Sequence, residues 1–109
     1  MSDASLEIGP KDLQRMRAAG EKHVVVDVRE RWELDIAALP DVKHIPMGEL
    51  QARFAELPED RPLVMFCRSG RRSMDATVFL REKGYGKAVN LRGGVLSWAA
   101  EIDPSMKTY

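Results

Sequence analysis

Two short runs, Val24-Val25-Val26-Asp27-Val28 and Leu63-Val64-Met65-Phe66, constrain this chain most. Both are four to five residues long and almost wholly apolar. A strand with one face in water alternates polar and apolar side chains; these do not, so each is predicted to be buried on both faces. Such strands belong to a mainly parallel sheet, which needs crossover connections that pack against it.

The segments between them supply helices. Gly9-Pro10 opens the first, with Pro10 at the first helical position, Asp12 in the first turn, Leu13 and Met16 facing inward and Gly20 at the end. Arg29 to Asp35 is charged and short, suited to a single helical turn. Leu39-Pro40-Asp41 reads as a turn, and Lys43-His44-Ile45 as a brief strand stopped by Pro46. Met47, Leu50, Phe54 and Leu57 recur at helical spacing up to Pro58. Met74, Ala76, Val78, Phe79 and Leu80 mark a helix beginning near Ser73 and closed by Gly84. Ala88-Val89-Asn90-Leu91 is another strand, after which Gly93-Gly94 turns into a helix carrying Val95, Trp98, Ala99 and Ile102. The alternation predicts an α/β domain, a parallel sheet with helices on both faces, and one domain over residues 1–109. The polar tail from Asp103 to Tyr109 is expected on the surface.

Charge narrows the partners. Lys+Arg and Asp+Glu number 17 each, so the chain as a whole presents no basic footprint for nucleic acid or anionic lipid. No apolar run approaches the ~20 residues of a membrane span. The opening MSDASLEIGPKDLQRMR has no apolar signal-peptide core, so a cytoplasmic location is expected. The single cysteine, Cys67, forms no internal disulfide and no all-cysteine metal site.

On its own a single cysteine reads as a small buried hydrophobe. Its neighbours argue otherwise: Cys67-Arg68-Ser69-Gly70-Arg71-Arg72 follows the carboxyl end of a buried strand, where ligands sit in sheets of this kind. A loop there turns backbone N–H groups inward, at a helix N-terminus, as a nest for anions. Gly70 supplies the conformational freedom the turn needs. The helix end and the arginines favour thiolate over thiol. The loop therefore binds an anion and attacks it. Phosphoryl and sulfur transfer both use a thiolate in an anion cradle. Cysteine phosphatases carry Cys, five residues, then a clasping Arg; here that position is Ser73 and the arginine comes one residue early. The smaller loop suits a sulfur atom better than a tetrahedral phosphate.

Three segments in order carry a resemblance: Val26-Asp27-Val28-Arg29-Glu30 with Trp32-Glu33, then Cys67-Arg68-Ser69-Gly70-Arg71-Arg72-Ser73, then Gly84-Tyr85 through Val89-Asn90-Leu91-Arg92-Gly93-Gly94 to Trp98. From about Ile8 to Trp98 the chain resembles the rhodanese-like sulfurtransferases in their single-domain form. The resemblance implies a rhodanese-like α/β fold with a central five-stranded parallel sheet, and a cysteine that carries a persulfide. Members commonly have Gly-His-Ile-Pro-Gly-Ala where this chain has Ala37-Ala38-Leu39-Pro40-Asp41-Val42, a segment read as structural.

On that reading Cys67 takes a sulfane sulfur from a small anionic donor such as thiosulfate. It passes the sulfur to cyanide, a thiol or a protein acceptor, with no cofactor and no metal. The anion-binding candidates are Arg68, Ser69, Gly70, Arg71 and Arg72. Arg68 and Arg71 are expected to hold the donor, Arg72 is open to a second role bracing the loop, and Ser69 either donates a hydrogen bond or faces solvent. The competing functions are a cysteine phosphatase or arsenate reductase, which would need an external resolving thiol, and a non-catalytic interaction domain, whose members usually lack the cysteine. The stretch from Trp98 to Tyr109 also looks like the endings of rhodanese-like domains fused to adenylyltransferases, which implies a sulfur relay to a protein partner.

Other residues receive structural readings. Asp27, Arg29 and Glu33 are expected to tie the strand end to the following turn. His23 and His44 lack a second ligand at metal spacing; a Cys67–His44 pair is a minor alternative to activation by the arginines. Trp32 and Trp98 are expected to pack, and Gly93-Gly94 is a turn, not a dinucleotide fingerprint.

Overall fold

The structure, a computed structural model, describes residues 6–109. The first five residues, part of the opening read above as lacking a signal-peptide core, lie outside them.

Five strands, β1 (Glu7–Ile8), β2 (Val24–Asp27), β3 (Val42–His44), β4 (Leu63–Phe66) and β5 (Ala88–Leu91), form one sheet in the order β1-β5-β4-β2-β3. Every pairing is parallel, with Val25 opposite Val64 and Val64 opposite Val89. The helices are α1 (Pro10–Ala19), α2 (Arg31–Ile36), α3 (Met47–Arg53), α4 (Arg71–Glu82) and α5 (Gly94–Glu101). The expected α/β architecture is present, as are the two doubly buried strands at its centre.

Those strands alternate their side chains between two cores. Val26, Val28, Leu63, Met65 and Cys67 pack with Leu50, Ala76 and Leu80 of α3 and α4. Val25, Val64 and Phe66 face the other way, onto Leu13, Val95 and Trp98 of α1 and α5. Each fully buried side chain of this size contributes about 2 kcal/mol, which is why the unbroken runs need both helix layers.

Four details depart from the sequence reading. β1 went unread because a two-residue edge strand is too short to show a period. β3 covers Val42–His44 instead of Lys43–Ile45. The amphipathic stretch at 47–57 breaks after Arg53 into a 3-10 turn, Phe54–Glu56. Finally, α4 begins at Arg71, two residues before Ser73. Gly70 adopts φ 93°, a left-handed conformation that swings the chain straight from the loop into the helix.

The strand order reverses between β4 and β2: the chain passes from β2 outward to β3, then returns to β4 and goes on to β5. Ligand crevices form at such a reversal, beyond the carboxyl ends of the two strands. Cys67 follows β4 there and Val28-Arg29 follows β2, tied by the Val28 N–H donating to the Phe66 carbonyl at 3.0 Å.

Candidate active site

Cys67 is 1% exposed, at the floor of a cradle made by its own loop and the first turn of α4. Two N–H groups converge on its sulfur, Gly70 at 3.1 Å and Ser73 at 3.4 Å, and the Ser73 hydroxyl oxygen lies 3.2 Å from it. The two N–H groups stabilise negative charge on sulfur, and the N-terminus of α4 adds its dipole.

The cradle is shaped from behind by α5. Val95 N–H donates to the Cys67 carbonyl at 2.9 Å and Leu96 N–H to the Arg68 carbonyl at 3.1 Å. Because the peptide planes are trans, the N–H groups of Arg68 and Ser69 point the opposite way, away from α5. This approach requires Gly94: a Cβ there would collide with the Cys67 carbonyl oxygen, and its φ is +53°. The Gly93-Gly94 pair is thus more than a turn. Asn90, fully buried on β5, donates from Nδ2 to the Gly70 carbonyl at 3.1 Å and to Glu7 Oε2 at 2.9 Å, and its Oδ1 accepts the Ser73 hydroxyl.

The arginines of the loop divide. Arg71 is exposed and has no hydrogen-bond or ion-pair partner among the described residues. Arg72 turns back and pairs with both carboxylate oxygens of Glu33, each at 2.7 Å, which is the bracing role left open for it. Arg68 donates from Nε to the Tyr109 carbonyl, and its guanidinium lies 5.3 Å from the centre of the Tyr109 ring. Ser69 is exposed.

Below the loop lies a buried charge network. Arg29, without exposed surface, grips Asp27 through Nε and Nη2, at 3.0 and 2.7 Å, and reaches the Ala37 carbonyl at 2.8 Å. Burial by itself would lower its basicity, but the hydrogen bonds to Asp27 and Tyr109 outweigh it and the guanidinium is held more basic than usual. Arg72 holds the Glu33 carboxyl at a pKa of about 2, against burial and with help from the Glu30 N–H and Tyr109 hydroxyl. The Asp27-Arg29-Glu33 set does tie strand to turn as expected, and Glu33 extends it to the cysteine loop.

Trp32 and Tyr109 differ from their readings, whereas His44 stands clear of the cysteine, as its main reading as an ordinary loop residue had it. His44 places Nε2 2.7 Å from the Arg29 carbonyl oxygen, not against Cys67. Trp98 is buried in the core, whereas Trp32 is 60% exposed and meets Tyr109 edge to face, centroids 6.0 Å apart. The tail is not merely superficial: Met106 and Tyr109 pack on the α1–α5 core, and the Tyr109 hydroxyl bonds both Arg29 and Glu33 at 2.8 Å. Ser73, Asn90, Glu33, Gly94 and Tyr109 were absent from the candidate list. Of these only Tyr109 lay outside the three segments that carry the resemblance, and Ser73 stood besides at the phosphatase clasp position. Among the described residues no three His, Cys, Asp or Glu side chains gather as a metal site, and no helix is long and apolar enough to cross a membrane.

A parallel five-stranded sheet with a cradled cysteine at its switch point defines a class, and comparison supplies the family. The rhodanese-like domain family matches residues 9–101, and the chain belongs to it. A sulfurtransferase of Allochromatium vinosum is 40% identical over 93 residues, 85% of this chain and 87% of that protein. The adenylyltransferase and sulfurtransferase MOCS3 of Arabidopsis thaliana is 30% identical over 122 residues; the match takes in 97% of this chain but 26% of that longer protein. Among solved structures, the human single-domain sulfurtransferase TSTD1 superposes with a TM-score of 0.77 at 27% identity, over 88% of this chain and 96% of that one. Family and relatives together support sulfurtransferase activity.

Proposed function

We propose that the protein transfers a sulfane sulfur through a persulfide on Cys67. The observation that carries this reading is the convergence of the Gly70 and Ser73 N–H groups on one sulfur, with the Ser73 hydroxyl 3.2 Å away. Once the thiol proton has left to water, the thiolate attacks the outer sulfur of thiosulfate. The new S–S bond forms as the bond to sulfite breaks, and sulfite departs with its electron pair. The persulfide keeps one negative charge, which the N–H groups of the cradle stabilise. Cyanide, a thiol or a persulfide-accepting protein then attacks the outer sulfur and releases the Cys67 thiolate. Two half-reactions sharing one enzyme form give ping-pong kinetics.

Arg71, exposed and unpaired beside the cradle, is the first cation an approaching anionic donor meets. Arg68 is the second, where the tail releases it. The phosphatase alternative loses ground on the same geometry: Ser73 stands where a phosphate-clasping arginine would be needed, and Arg72 is committed to Glu33. The resemblance to sulfurtransferases fused to adenylyltransferases supports a protein acceptor in a sulfur relay.

The test is the intact mass of the purified protein before and after thiosulfate, with Cys67→Ser beside it. One added sulfur atom on the native protein alone, removed by cyanide with release of thiocyanate, is the expected result. No sulfur uptake by a folded protein with a free thiol, together with phosphate-ester hydrolysis dependent on Cys67, would replace this reading with the phosphatase one.

A further inference from the structure

The loop residue next to the nucleophile is held by a residue 41 positions away. Tyr109 receives the Arg68 Nε hydrogen bond on its backbone carbonyl and lays its ring under the same guanidinium, at 5.3 Å. It is itself anchored, because its hydroxyl accepts from Arg29 Nη1 and donates to Glu33 Oε1, both at 2.8 Å. Trp32 meets its ring edge to face, centroids 6.0 Å apart. Arg29 and Glu33 are buried and fixed by Asp27 and Arg72, so the anchor is firm. With Arg72 paired to Glu33, two of the three loop arginines are engaged, and Arg71 alone has no partner among the described residues.

We propose that Tyr109 is a specificity-determining residue: by holding Arg68 against the tail, it disfavours strongly anionic reagents at Cys67 relative to neutral or weakly charged ones. The proposal rests on the persulfide reading above and narrows its donor class, toward organic or protein persulfides over free dianions. A dianion must displace Tyr109 to gain Arg68, whereas a neutral sulfane sulfur has no need of it. Charge-assisted and cation–π contacts of this kind compete strongly enough to shift an apparent affinity roughly three- to tenfold.

The experiment compares alkylation of Cys67 by iodoacetate and by iodoacetamide. In both, the thiolate attacks the methylene carbon and iodide leaves, so the reagents differ chiefly in charge, and the ratio of their rates largely cancels changes in thiolate fraction and general access. Wild type, Tyr109→Phe, Tyr109→Ala, Arg68→Gln and the Arg68→Gln/Tyr109→Ala pair are measured together. The iodoacetate-to-iodoacetamide ratio is expected to rise about threefold in Tyr109→Ala and less in Tyr109→Phe, which keeps the ring but loses the anchor. Tyr109→Ala should leave the ratio unchanged when Arg68 is already glutamine, and the KM for thiosulfate should fall in parallel with the ratio. An unchanged or lower ratio in both single Tyr109 variants, or a rise that persists without Arg68, would overturn the proposal. If Tyr109→Ala does not fold, Tyr109→Phe decides. Alkylation needs no sulfur transfer, so a protein that alkylates normally yet takes no sulfur from thiosulfate or from an organic persulfide sinks the persulfide reading while the Arg68 result still stands.

Discussion

Arg72 and Glu33 face each other through two hydrogen bonds of 2.7 Å, joining the first turn of α4 to α2 across 39 residues of sequence. The Glu33 carboxylate is almost inaccessible while the Arg72 side chain is 38% exposed, so the pair is half buried and solvent screens part of its strength.

Replacing Glu33 by Gln should cost roughly 2 kcal/mol, since it removes the charge that Arg72 and the Tyr109 hydroxyl were built around. The loss should depend on pH. Glu33 is depressed from 4.5 to about 2 in the folded protein, so its contribution is fully present above pH 4.5 and is lost as pH falls through about 2. Urea midpoints for wild type and Glu33→Gln should differ at pH 7 and approach each other between pH 4.5 and 2. A gap that stays constant over that window would mean the stabilisation is not ionic.

Ser73→Ala removes the hydroxyl that can turn its one proton from Asn90 Oδ1 to the Cys67 thiolate, and it leaves Asn90 Oδ1 short of a partner. Formation of the persulfide from thiosulfate should slow about tenfold, as for the loss of one preorganised donor to a developing charge. Single-turnover sulfur uptake measures it, and a rate equal to wild type would remove the hydroxyl from the mechanism.

Two glycines should respond in opposite ways to alanine. At Gly94 the new methyl group meets the Cys67 carbonyl and the backbone has φ +53°, so the variant should lose several kcal/mol, or fail to fold. Gly48 lies on the exposed surface of α3 with nothing within 4 Å of a built Cβ. There alanine should stabilise by about 0.5–1 kcal/mol through its helix propensity. Thermal melts of the two variants check both signs.

Asp41 is the sole non-glycine residue with positive φ, 58°, among the described residues. Asp41→Gly should relieve the left-handed strain and raise stability by about 0.5 kcal/mol, part of the relief being offset by the more flexible unfolded chain. A lower melting temperature would show that the Asp41 side chain contributes more than its backbone costs.

What could be read from the residues alone was whatever repeats or clusters locally. The unbroken runs at 24–28 and 63–66 required a parallel sheet with two helix layers, and the thiol beside Gly70 and three arginines marked the candidate nucleophile. A two-residue strand such as β1 carries no period, and nothing around Trp32 distinguished an exposed ring from a packed one. The use to which each arginine is put was likewise out of reach. Arg72 is committed by Glu33, Arg68 by Tyr109, and the Cys67 carbonyl by the N-terminus of α5, through partners 39, 41 and 28 positions away. Hydrophobic period and turn chemistry are properties of neighbours in sequence, so the chain by itself determined the sheet, its two cores and the atom proposed to react. Which charges remain free at that atom depends on side chains brought together only when the sheet assembles, and the tertiary structure alone decided it.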